Sequence, residues 1–176
     1  MVPCHRVVRS DGTGKITVGS LTSTDNLSFI NSTGGMDLTG ALTSAGNTVK
    51  FTGTGVAQET GSGAITAGSL AFLNASSVAF NGTGNNVGTL AASGVGNFSY
   101  VDSDALTIGI VNPTGVTSTG TVRIETLSGD LTVSQNISTT DTSASAIVLN
   151  AGKSAAAGTS TGGNILISGS PTFTTG

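Results

Sequence analysis

The sequence predicts an all-β chain wound as a solenoid. Three observations lead there: a composition suited to strands and tight turns, a phrase that recurs with residue identity, and two strand patterns that alternate along the chain. The 176 residues include 27 Gly but only 3 Pro, and only 9% are charged. Thr, Ser, Val and Asn fill much of the rest. This mixture opposes long helices and suits short strands joined by turns. Disorder needs low hydropathy with high net charge. Here mean hydropathy is positive and the net charge is −3.

The recurring phrase is GKITVGSL at 14–21 and GAITAGSL at 63–70, a separation of 49 residues. Weaker versions run from Asp37 to Leu42, Ala105 to Val111, Asp130 to Val133 and Gly163 to Gly169. In the first copy Ile16 and Val18 point one way and Thr17 the other, the two-residue period of a strand. Gly19 then permits a bend. The second pattern is apolar, polar, large apolar. It occurs at Leu27–Phe29, Val49–Phe51, Val78–Phe80, Phe98–Tyr100 and Val122–Ile124, with Ile147–Leu149 fully apolar. Clusters of Gly, Asn, Asp, Ser and Thr separate the strands, as at 32–35, 44–47, 81–86 and 128–130.

One short strand cannot bury its apolar face alone, whereas stacked equivalent strands build a continuous core. Stacking predicts an inward ladder of Phe29, Phe51, Phe80 and Tyr100, continued by Ile124 and Leu149. It predicts an outward ladder of Thr17, Thr39, Thr66, Thr107 and Thr132. An antiparallel sandwich also uses short strands at this spacing, but the identity of the repeat favours the solenoid. Spacing loosens after about Pro113, which predicts protruding loops, the longest across residues 151–163.

Several function classes find little support. Six basic residues form no electrostatic footprint for nucleic acid. No apolar run matches a membrane span. One His and one Cys exclude an internal disulfide, a His-based triad and a two-His metal site, and no cofactor is expected. Asp102 and Asp104 are close enough to invite Ca²⁺ or acid–base work, yet Ca²⁺ needs six or more oxygens, and a turn is favoured. Sequons at Asn26, Asn31, Asn74, Asn81, Asn97 and Asn136 read as turn asparagines. A Thr face could order ice or bind carbohydrate, but the ladder offers one Thr per strand.

From about Gly14 onward the phrases GVGNFSYVDSDALTIGIV and GTVRIETLSGDLTVSQNIST resemble repeat regions of filamentous-haemagglutinin-like exoproteins and autotransporter passenger domains. The resemblance implies a right-handed parallel β-helix (solenoid), here an uncapped fragment over residues 14–176. It implies a structural or adhesive stalk without catalysis, at the bacterial cell surface or secreted, touching a host or neighbouring cell. Exposed terminal coils favour end-to-end self-association. The start of the chain carries no apolar signal region, and the sequence reads as mid-stalk.

Residues 2–13, VPCHRVVRSDGT, depart from this pattern. They resemble the Pro-Cys-His-Arg-Val active-site segment of O6-alkylguanine-DNA alkyltransferases. The resemblance implies the alternative function of a truncated methylated-DNA-[protein]-cysteine S-methyltransferase. Cys4 would be the alkyl acceptor and His5 its proton acceptor. The orienting carboxylate and DNA-binding helices that the family places around the motif have no counterpart in the sequence, so residues 1–13 read as a disordered arm. Transfer of a labelled benzyl group from O6-benzylguanine to Cys4 discriminates the two functions.

Overall fold

The computed structural model of the protein describes residues 4–8 by their backbone, and residues 14–154 and 162–176 in full. Nineteen strands follow one another, with no helix among the described residues. In chain order they begin with β1 (Cys4–Val8), β2 (Ile16–Val18), β3 (Leu21–Thr22), β4 (Asn26–Asn31), β5 (Met36–Leu38) and β6 (Ala41–Gly53). Next come β7 (Val56–Glu59), β8 (Ala64–Leu73), β9 (Ser77–Phe80), β10 (Asn86–Val95), β11 (Asn97–Asp102), β12 (Leu106–Ile108) and β13 (Val116–Ser118). The last are β14 (Val122–Thr126), β15 (Leu131–Val133), β16 (Ile137–Thr139), β17 (Ile147–Asn150), β18 (Ile165–Ile167) and β19 (Phe173–Thr174).

The strands stack as coils of a β-solenoid with about six turns. One sheet runs β2-β5-β7-β9-β11-β14-β17, and a larger one holds the other twelve strands. Pairing between the coils is parallel throughout. Parallel sheets need both faces covered. Here the two sheets cover one another on the inside, across a core that includes Leu42, Val49, Ile65, Leu70, Leu90 and Ile124, each 0% exposed.

A single row shows the stacking. Leu27 pairs with Val49, then the row passes through Leu70, Leu90, Ile108 and Val133 to Ile167. Successive steps along it are 22, 21, 20, 18, 25 and 34 residues. The later coils are therefore longer at their corners while the row itself is kept. One such excursion, Gly109 to Gly115, is pinned by the Gly115 amide on the Gly109 carbonyl at 2.9 Å and contains a cis Asn112-Pro113 bond. The predicted protrusion at 151–163 is described only at its two ends; residues 155–161 lie outside the described residues.

The two strand patterns do not correspond to two faces. Ile16 of the first phrase copy lies in the seven-stranded sheet and Ile65 of the second in the twelve-stranded one. A spacing of 49 is not a whole number of coils of about this length. The phrase recurs because any inward strand followed by a bend asks for the same letters. The aromatic ladder divides for the same reason. Phe29, Phe51 and Phe72 stack in the larger sheet, with ring centroids 5.1 and 5.5 Å apart. Phe80, Tyr100, Ile124 and Leu149 form a separate row in the smaller sheet. Phe51 meets Phe80 across the core at 5.6 Å.

The expected Thr ladder is also redistributed. Thr107 does pair with Thr132, but Thr17 faces Asp37, and Thr66 lies between Thr43 and Asn86. The row that forms is Thr48, Ser69, Thr89, Thr107 and Thr132.

Glycine matters most at one corner of the larger sheet. Gly46 has φ +74°, and a Cβ on Gly68 would approach its carbonyl carbon to 2.6 Å. Gly88 in turn sits on Gly68. Gly46 supplies the left-handed conformation, and Gly68 and Gly88 stack at a spacing no side chain fits, so β6, β8 and β10 bend without losing their neighbours.

Candidate functional site

The alkyltransferase-like motif falls partly within the described residues. Of the segment 1–13, the structure places Cys4–Val8 as β1, parallel to β4, with Cys4 opposite Asn26 and His5 opposite Leu27. Residues 1–3 and 9–13 lie outside the described residues. β1 thus joins the end of the larger sheet as one more rung.

Asp102 and Asp104 lie close together, the Asp104 side chain adding to burial in raising the Asp102 carboxyl, but they sit in different settings. Asp102 is 0% exposed. Its Oδ2 accepts the Val87 amide at 3.0 Å and the Tyr100 hydroxyl at 2.9 Å, and its Oδ1 accepts the Asp104 amide at 3.1 Å. Asp104 is exposed and accepts from Asn86 Nδ2 at 2.9 Å. Asp102 joins coils and begins a turn. Among the described residues no group of three or more His, Cys, Asp or Glu side chains is placed to hold a metal ion.

Sequence reasoning missed the wider network to which Asp102 belongs. Asn85 is fully buried, accepts the Ile65 amide at 2.8 Å and donates to the carbonyls of Gly82 and Val101, both at 3.2 Å. Glu59 pairs in register with Leu38, so a carboxylate stands where the preceding coil has a core leucine. Its Oε2 accepts the Gly82 amide at 2.7 Å, while Oε1 is buried without a hydrogen-bond partner.

Burial is the main cause of both carboxyls being pushed up to about 7. The Gly82 amide and Asn85 oppose the rise at Glu59; the Asp104 amide, Tyr100 and Val87 oppose it at Asp102. Loss of hydration disfavours a charged carboxylate, and one or two donors offset this only in part. Tyr100 is likewise pushed well above its ordinary value, first by burial and then by Asp102. The only available signal was an acid breaking an apolar pattern at Glu59, and without the coil register it looks like a turn residue.

An open cleft of about 270 Å³ lies beside this network, lined by Gln58, Glu59, Thr60, Gly61, Asn81 and Gly82, among others. Asn81 is exposed, and its Oδ1 accepts the Ser99 hydroxyl at 2.6 Å. A second charged cluster is fully paired. Glu125 is 1% exposed and receives Arg123 at 2.6 Å and Lys153 at 2.7 Å. The two cations hold its carboxyl below the ordinary value against the opposing effect of burial, the largest single influence on it.

The sequon asparagines act as ties between coils. Asn26, Asn97 and Asn136 accept the amides of Thr48, Thr121 and Thr172, each one coil on, at 2.8, 3.1 and 2.8 Å. Asn31 is buried, donates to the Gly14 and Gly35 carbonyls and accepts the Gly34 amide. Asn74 takes a left-handed turn conformation, φ +61°. An asparagine tolerates that conformation better than most residues do.

Comparison with protein-family models, curated proteins and solved structures finds no match. Among the described residues no helix is long and apolar enough to cross a membrane. The hydrogen bonds of Asn26, Asn85, Asn97, Asp102 and Asn136 hold coil to coil. The cleft at Glu59, Asn81 and Gly82 is the place where a base, an amide and open space meet.

Proposed function

We propose that this chain is a structural or adhesive stalk segment of a bacterial surface-exposed or secreted exoprotein. The observation that carries this is the uninterrupted row from Leu27 to Ile167, one residue per coil. A stack in which each coil contacts only its neighbours is quasi-one-dimensional. Its length is set by the number of coils, which is what a spacer needs. Contact with a host or neighbouring cell falls to the corner excursions. The excursion from Gly109 to Gly115 presents Ile110, 69% exposed, on a pinned turn.

Two measurements test the proposal. Duplicating one coil should lengthen the particle by about 4.8 Å in solution scattering, the spacing between paired strands. An unchanged long axis overturns the spacer role. Beads coated with the chain should bind cell surfaces, and replacing residues 110–114 with Gly and Ser should remove that binding. Equal retention with and without the excursion overturns the adhesive role. The flanking reading frame should add further coils of the same pattern.

A further inference from the structure

We infer that Asn81 is a site of self-catalysed modification, converted to aspartate and isoaspartate by attack of the Gly82 backbone nitrogen on its side chain. Five features meet at this point. Asn81-Gly82 is the only Asn-Gly pair in the sequence, so the attacking nitrogen carries the least hindered residue. A Cβ at position 82 would meet Glu59 Oε2 at 2.9 Å and the Gly63 carbonyl at 3.1 Å. The Gly82 N–H points at Glu59 Oε2, 2.7 Å away. The Asn81 side-chain carbonyl accepts the Ser99 hydroxyl at 2.6 Å. Finally, Asn81 and Gly82 lie between β9 and β10 and line the open cleft, so the backbone is outside the strand ladders and water has access.

Each feature has a chemical role. Glu59 Oε2 is the general base within hydrogen-bond reach of the proton to be removed. Ser99 stabilises negative charge developing on Asn81 Oδ1. Nitrogen and carbonyl belong to adjacent residues whose partners, Glu59 and Ser99, the fold holds in place, which lowers the entropy cost of their encounter. The Gly82 N–Asn81 Cγ bond forms while the nitrogen's proton passes to Glu59. The Cγ–Nδ2 bond then breaks, Nδ2 taking that proton and leaving as ammonia. Water adds to either carbonyl of the cyclic imide and opens it to aspartate or isoaspartate.

The Val87 amide, which follows Asn86, also meets a carboxylate, Asp102 Oδ2 at 3.0 Å, but it lies within β10 and its nitrogen carries a β-branched residue. The amides after Asn97 and Asn136, those of Phe98 and Ile137, are held by the backbone carbonyls of Thr121 and Thr172. The ionisable groups nearest Glu59 are Asp37 on the preceding coil, which accepts Thr60 and Lys15, and Tyr100 two coils on in β11, with Asp102 and Asp104 beside it.

The test is peptide mapping by mass spectrometry of the folded chain incubated at neutral pH, following conversion at Asn81. The folded chain should convert about tenfold faster or more than the same chain in urea. Folded E59Q should lose on the order of a hundredfold in rate, and S99A should slow the reaction while Glu59 remains. A folded rate at or below the unfolded one overturns the inference, as does an unchanged rate in both folded variants. Should E59Q not fold, the wild-type pH profile decides. A rate that levels off as Glu59 ionises supports the base, and one that climbs in proportion to hydroxide throughout overturns it.

Discussion

The Tyr100 hydroxyl donates to Asp102 Oδ2 at 2.9 Å inside the solenoid, two residues along the same strand. Both side chains are 0% exposed. The pair is buried because β11 lies between β9 and β14, and Asp102 also receives the Val87 amide from the larger sheet. This carboxyl therefore links the two sheets as well as ending a strand.

Its position makes stability depend on pH. Asp102 and Glu59 are both pushed up to about 7 in the folded chain by burial. In the unfolded chain they return to roughly 4. The folded state then binds more protons between these values, and stability falls as pH rises through that window. The stabilisation from their neutral forms is complete below about 4 and gone above about 7, a loss on the order of a few kcal/mol. Urea titrations from pH 5 to 8 should show midpoints falling with pH, and D102N with E59Q should flatten the slope. A midpoint that rises over this range contradicts the assignment. Asp37 and Glu125, held low by their partners, act in the opposite sense only at more acid pH.

The buried amides should be costly to remove. Asn85→Ala leaves the Ile65 amide and the Gly82 and Val101 carbonyls without their side-chain partner. A buried unsatisfied group costs roughly 1–3 kcal/mol, so a loss on the order of 2–4 kcal/mol in chemical denaturation is expected. A change below 1 kcal/mol would mean that water replaces the amide.

The aromatic stack has a centre and an end. Phe51 is 1% exposed and lies between Phe29 and Phe72. Phe51→Ala should destabilise by about 3–5 kcal/mol. Phe173, at the far end of the same sheet, is 44% exposed, and its replacement should cost well under half as much. Equal losses at the two positions would disprove the row as the core.

Glu125 offers a test of charge pairing. Its carboxylate is buried, while Arg123 and Lys153 are each close to half exposed. Removing both cations strands a buried charge and should cost about 3–5 kcal/mol. Either single replacement should cost much less, because the other cation remains. A double-mutant cycle measures the difference.

The solenoid class was legible from the sequence, because alternating apolar residues between Gly and Asn turns can bury themselves only by stacking. The pairing of Phe29 with Phe51, and the run from Tyr100 through Ile124 to Leu149, follow from that pattern directly. Which strand belongs to which sheet was not legible. Both sheets ask the same of an inward strand, and coil length varies, so residue identity at 14–21 and 63–70 is no guide to register. The polar interior was hidden for a related reason. Glu59, Asn85 and Asp102 use the same letters as a turn, and only the stacking turns them inward. Phe72 was missed because it follows Leu70 and Ala71 in a strand without clear alternation, all three being buried.

The step of 34 residues from Val133 to Ile167 returns to the same row as the step of 18 from Leu90 to Ile108. Each coil takes its alignment from the one before it and needs no fixed count of residues to do so. Alignment and loop length are thereby decoupled: the rows keep one shape, while the chain between them changes in length from coil to coil.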